Sequence, residues 1–301
     1  MRSPKLPVLL IGFNRPELLL ERVRELLFNG VEVLHISIDG NESLIDEMQS
    51  AVNEVIKMCK GKCLLSTHLH LENLGLAKHI TSEISKMLSI YTQVLVIEDD
   101  IEIGKNFYNN MNNGLKVLKE TSTKGVVSGF SPLVMSRFLP LTNKWRTSPY
   151  FNCWGWICSQ EVWANYVLDI SDESINTELQ SSKTWKQLNK WQQYLWLSRF
   201  IKIQRSPFHT WDIQFQYMCF KYEMVNISPI FSITNNGGFN DSRSAHTKEK
   251  KPKWMSNRSG NSKLIELNAS KFTSALFSKI IEPLTTSGDS RLIRIRNKFR
   301  N

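Results

Sequence analysis

Little in this sequence marks a membrane protein, a disulfide scaffold or a dinucleotide-binding enzyme. Across its 301 residues there is no run of about 18 apolar residues, which excludes a transmembrane helix. Cysteine is sparse: Cys59, Cys63, Cys153, Cys158 and Cys219 are five, an odd number. Their spacings lack the two-residue knuckles or interleaved histidines of a zinc site and read as reduced, partly buried thiols. No G-x-G-x-x-G turn follows the first apolar run, which disfavours a dinucleotide site, and no P-loop pattern occurs. The opening run lacks a small-residue cleavage site, so a signal peptide is not expected and the chain is expected in the cytoplasm. No internal repeat is evident.

What is present suffices for a full core. Hydrophobic residues make up 41% and charged residues 22%, which excludes wholesale disorder. The net charge of +10 is unevenly placed. Residues 248–301 hold thirteen Lys/Arg and four Asp/Glu, a net +9, and the body is nearly neutral. A nucleic-acid-binding surface would spread or stripe its charge over the fold. A basic tail fits an anionic membrane surface at least as well. Within 291–300 (RLIRIRNKFR), Leu292, Ile295 and Phe299 share a helical face. Peripheral association with the inner face of the cytoplasmic membrane is therefore one expectation for the tail. A docked helix or a solubilising tail is the plain alternative.

The first 130 residues alternate strand and helix. Strands are expected at 6–13 (LPVLLIGF), 31–38, 63–69, 94–97 and 126–130, with helices at 17–28, 43–59 and 77–90. Such alternation predicts an α/β fold with a mainly parallel sheet flanked by helices. Ligands in these sheets bind at the carboxyl ends of the strands. Three distinctive segments fall there: Asn14-Arg15, Asp39 and Glu98-Asp99-Asp100. From 131 to 247 the chain turns rich in tryptophan and reads as helices and loops laid over that rim. Residues 1–130 and 131–247 are thus read as two halves of one domain, with 248–301 a basic tail.

Three adjacent acids at a strand end repel one another, and a divalent cation bridging to phosphate would offset that cost. A solvated acidic turn is the plain alternative. Asp39 precedes Gly40 and reads either as a ribose or base contact or as an ordinary turn. Arg15 suits a diphosphate through its planar fork, or a local pair. Asn73-Leu74-Gly75 makes a turn. Trp154-Gly155-Trp156 offers close backbone approach and indole faces for a sugar, or two core tryptophans around a turn. Asp212 opens a helix and reads as a cap. His246 lies in a loop-rich stretch and is a candidate metal ligand.

In order along the chain stand PVLLIGFNRP (7–16), NLGL (73–76), VLVIEDDI (94–101), WGW (154–156), TWD (210–212) and a closing N-G-G-F followed by His246-Thr247. This series resembles GT-A glycosyltransferases that use nucleotide-sugars, particularly bacterial family-2-like transferases of surface-polysaccharide clusters. A more distant likeness is to the N-acetylglucosaminyltransferases of N-glycan branching. The closing loop carries one glycine more than that pattern. The resemblance covers about residues 6–247 and leaves the tail aside. It implies an inverting transfer from a UDP-linked donor to a glycan or lipid-linked glycan acceptor, with Mn²⁺ or Mg²⁺. By the same resemblance Asp100 binds the metal, Glu98 the donor sugar, Asp99 the ribose and Asp39 the base or ribose, and Asp212 is the general base. Two rivals remain: a sugar-phosphate nucleotidyltransferase, which would need a glycine-rich basic loop after the first strand, and a nucleic-acid-binding protein driven by its tail.

Overall fold

The computed structural model describes residues 5–121, 124–132, 143–170, 172–239, 243, 263–269 and 271–282. His246 and the amphipathic 291–300 segment lie outside the described residues. Three βα units open the fold: β1 (Val8–Gly12) with α1 (Pro16–Phe28), β2 (Val33–Ile38) with α2 (Ile45–Cys59), and β3 (Leu64–Leu69) with α3 (Leu76–Ile90). β4 (Gln93–Glu98) then ends in the acids. Their spatial order is β3-β2-β1-β4, with every pairing parallel. β1 is buried along its whole length. Val8 and Leu10 enter one apolar layer and Leu9 and Ile11 the other, the period-two pattern of a strand covered on both faces. α1 begins at Pro16, whose fixed φ suits a first turn. α2 buries Met48, Ala51, Val52, Val55 and Cys59, a single stripe at helical spacing.

The second half begins with β5 (Ile101–Ile103), α4 (Phe107–Glu120), β6 (Val127–Ser128), β7 (Lys144–Ser148) and β8 (Trp156–Ser159). Five helices follow: α5 (Gln160–Trp163), α6 (Asp172–Ser181), α7 (Lys183–Gln187), α8 (Lys190–Gln204) and α9 (Asp212–Lys221). β9 (Asn226–Pro229), β10 (Thr234–Asn236), β11 (Glu266–Ala269) and α10 (Lys271–Leu276) complete the described chain, and α10 runs into a π-helical turn at Phe277–Ile281. Nine strands form one sheet, ordered β11-β7-β9-β6-β8-β4-β1-β2-β3.

Here the structure departs from the reading of 131–247 as helices and loops alone. β7, β8 and β9 extend the sheet, and β8 inserts antiparallel between β4 and β6. β8 is only the four residues WICS, too short to show an alternation. The sheet stays mainly parallel, because β6 and β9 run in the same direction as the first four strands. The expected α/β architecture, a Rossmann-like sheet flanked by helices, is thus the architecture found.

Much of the tryptophan-rich half is core. Tyr150, Trp185, Trp196, Phe200, Tyr217 and Phe220 pack into a separate aromatic cluster. A capping box joins Asn189 and Gln192 at the start of α8. The described parts of the basic C-terminal region pack on the body. β11 adds to the sheet beside β7, and Phe277 is fully buried. Arg146 Nη1 donates to Glu282 Oε1 at 2.8 Å, with both side chains at most 1% exposed.

Candidate functional site

The parallel strands release their carboxyl ends on one rim, and a cavity of about 550 Å³ opens there. Asn14 and Arg15 line it from the turn after β1, and Asp39 from the end of β2. Asn73 enters from the loop before α3, and Glu98, Asp99 and Asp100 from the end of β4. The far wall holds Trp154, just before β8, and Asp212, the first residue of α9.

Register explains the meeting of Arg15 with the acids. Ile11 of β1 pairs with Glu98 of β4, so both chains leave the sheet at the same level. Arg15 is buried, forms a short ion pair with Asp99 and lies 3.3 Å from Asp100 Oδ2. Its fork is therefore engaged by the acids. Asp99, expected near a ribose, is 2% exposed and turned to Arg15, and its Oδ2 has no hydrogen-bond partner among the described residues.

Three close carboxylates in a desolvated site resist ionisation. Desolvation pushes the Asp99 carboxyl up to about 7, Arg15 opposes this and Asp100 adds to it. Glu98 is pushed well above the usual carboxylate range, by desolvation first and then by Asp100, Asp99 and Asp212. Asp100 is raised by desolvation against the pull of Arg15 and Arg22. An all-oxygen, acceptor-only donor set with one buried oxygen unpartnered suits a hard divalent cation such as Mg²⁺ or Mn²⁺.

The loops around the acids are fixed by backbone hydrogen bonds. β10 pairs antiparallel with β5, and Gly237 N–H donates to the Asp100 carbonyl at 2.8 Å. Asn14 Nδ2 donates to the Arg243 carbonyl at 3.4 Å, and Arg243 joins the cavity wall. Asp39 works on its own neighbourhood. Its Oδ1 accepts from the N–H of Gly40 at 3.0 Å and of Leu74 at 2.8 Å, and its Oδ2 from Gly75 at 3.1 Å. Asn73 Oδ1 also accepts from Gly75, at 2.8 Å. Asp39, Asn73 and Gly75 thus shape the loop that leads into α3, and Gly75 itself is not on the cavity wall.

The W-G-W segment divides. Trp154 lines the cavity, held edge-to-face against Phe130 at 4.4 Å. Trp156 does not form the expected platform. It is 1% exposed in β8 and stacks on Trp211 at 5.4 Å. Gly155 approaches protein and no ligand surface: a Cβ there would meet Thr234 Cγ2 at 3.0 Å and Phe107 Cζ at 3.2 Å, and its φ of +71° favours glycine. The core stack still matters for the site, because Trp211 directly precedes Asp212. The Thr210 hydroxyl donates a short hydrogen bond to Asp212. The Cys153 thiol is pushed far up by desolvation and then by the charges of Asp212 and Glu98, so it feels both carboxylates. Cys153, His79, Phe208 and Arg243 also line the cavity, and no sequence motif announces them.

No family model matches the chain, and no curated protein matches it. A solved structure, the mannosyltransferase PcManGT from Pyrobaculum calidifontis in complex with GDP-Man and Mn2+, is similar in overall chain path. It aligns with a TM-score of 0.42 and 15% identity, over 73% of this chain and 70% of that one.

Proposed function

We propose that this protein is a metal-dependent glycosyltransferase of the GT-A kind. It moves a sugar from a nucleoside-diphosphate donor, UDP-linked in this reading, to a glycan or lipid-linked glycan acceptor, as in surface-polysaccharide synthesis. The observation that carries the reading is the meeting of the β4 acids and Asp212 around one cavity, from opposite halves of the chain.

Asp100 would hold Mn²⁺ or Mg²⁺, which supplies Lewis-acid stabilisation of a departing diphosphate. Arg15 holds Asp99 and keeps the acidic turn in place. Trp154 offers an indole face to the apolar side of a sugar ring. Glu98 accepts hydrogen bonds from donor hydroxyls. Asp212, oriented by Thr210, takes the proton from the acceptor hydroxyl, and a single displacement inverts the anomeric carbon.

The test is a thermal-shift screen of nucleotide-sugars with Mn²⁺, followed by transfer assays. A donor at 100 times its Kd is expected to stabilise the fold by about 2.7 kcal/mol. EDTA and Asp100→Ala should each abolish transfer while the protein stays folded. Full transfer in EDTA rejects the metal role.

A further inference from the structure

Beside the cavity, whose wall His79 also lines, polar residues replace an apolar layer at the edge of the sheet. The rows Leu9–His35–Ser66 and Ile11–Ser37–His68 cross β1, β2 and β3 in register. Leu9 and Ile11 belong to the apolar layer, but the outer positions of both rows are polar. His70 follows two residues after His68 and so falls on the same face. α3 crosses this face with His79 and Glu83, both buried. Four of the six histidines in the chain therefore gather here.

We propose that His68, His70 and Glu83 form a binding site for a transition-metal dication of the Zn²⁺ class. His68 Nδ1 lies 3.6 Å and His70 Nε2 3.5 Å from the same oxygen, Glu83 Oε1. All three atoms lie within 4.8 Å of one another. Those separations are long for hydrogen bonds. The two nitrogen–oxygen separations lie close to the edge of a tetrahedron, about 3.4 Å, around an ion with bonds of about 2.0–2.1 Å. Lys86 Nζ sits 3.7 Å from the other oxygen, Glu83 Oε2, which leaves Oε1 to face the imidazoles. The Ser37 hydroxyl lies 2.8 Å from His79 Nε2 and 3.4 Å from His70 Nε2, so His79 is its nearer partner. The His68 side chain is 47% exposed, which opens the fourth coordination position to water. Two imidazoles with one carboxylate select the Zn²⁺ class, whereas the all-oxygen cavity suits Mg²⁺ or Mn²⁺. The bound ion clips the edge strand β3 to α3.

The sequence hid this site because the ligands come from two elements and no cysteine marks them. The experiment uses the full chain, stripped with EDTA and dialysed, and titrates Zn²⁺ against a chromophoric chelator. One tight equivalent is expected in the parent and in Asp100→Ala. His68→Gln and His70→Gln should each weaken it by about 100-fold or more, since loss of an outer-shell partner alone costs about 10- to 100-fold. Zn²⁺ should raise the Tm of the parent and not that of His68→Gln, whose half-exposed position leaves the metal-free fold intact. Equal affinity in parent and both histidine variants overturns the site. So does loss of the equivalent in Asp100→Ala alone, or no binding at tenfold excess Zn²⁺.

Discussion

Asp212 sits in the first turn of α9, after Trp211 at the N-cap, where any acid suits the helix dipole, and its neighbours separate that role from a catalytic one. It borders the cavity with Glu98, and both charges reach Cys153. Asp212→Asn keeps the size but loses the charge and the basicity. Turnover should fall by about 10²- to 10⁴-fold, with donor binding and Tm nearly unchanged. A drop of only a few-fold would leave Asp212 as an acid of the first helical turn and no base. NMR of the product should show an inverted anomeric configuration, and retention would reject the single displacement. The acids at 98–100 were legible in the sequence because a four-residue apolar run delivers them straight to a strand end. The engagement of Arg15 by two of them was not, since that pair joins residues distant in sequence and depends on strand register.

Among the elements, α4 lies closest to the sheet at Gly114. A Cβ there would come within 2.5 Å of Val127 Cγ1 and 2.8 Å of Trp145 Cη2. In an exposed helix, Gly→Ala stabilises by about 1 kcal/mol. Here Trp145 is fully buried and Val127 is stiff at χ1, so overpacking of about 1–3 kcal/mol should prevail. Gly114→Ala is expected to lower the urea midpoint, and an increase would show that the sheet yields. The turn after α10 is held differently. Glu282 pairs with Arg146, and its Oε2 accepts from Ser148 Oγ at 2.6 Å. Arg146 Nε and Nη2 have no hydrogen-bond partner among the described residues. Glu282→Ala would strand a buried guanidinium and should cost about 3–5 kcal/mol by chemical denaturation. It should also speed proteolysis near residue 282. A change within about 0.5 kcal/mol would mean that this segment is not part of the cooperative unit.

At the scale of the whole molecule, the charge imbalance makes its own prediction. No described helix is long and apolar enough to cross a membrane. Arg291, Arg294, Arg296, Lys298 and Arg300 concentrate positive charge in ten residues outside the described part. At about 1 kcal/mol each on an anionic bilayer, they would contribute at most about 5 kcal/mol before ordering costs. Deleting residues 289–301 should weaken co-sedimentation with phosphatidylserine vesicles and spare transfer to a soluble acceptor. Unchanged co-sedimentation would assign the tail another role.

By itself the sequence determined the opening βα units, the parallel order they require and the delivery of three chemical segments to one rim. These follow from local rules: period two or 3.6 sets which face is buried, and parallel strands present their ends together. Tertiary structure decided what local periodicity does not encode, namely which distant surface each face meets. It inserted the short β8 between β4 and β6. It sent Trp154 to the cavity and Trp156, two residues on, into the core, because Gly155 between them has a positive φ that turns the chain, and only Trp156 lies in β8. It drew part of a basic, polar C-terminal region onto the sheet edge through strand pairing, a buried phenylalanine and a buried ion pair, and it gathered His68, His70 and Glu83 from the end of β3 and a crossing helix. Contacts of that kind depend on packing between elements far apart in the chain, and no window of sequence contains them.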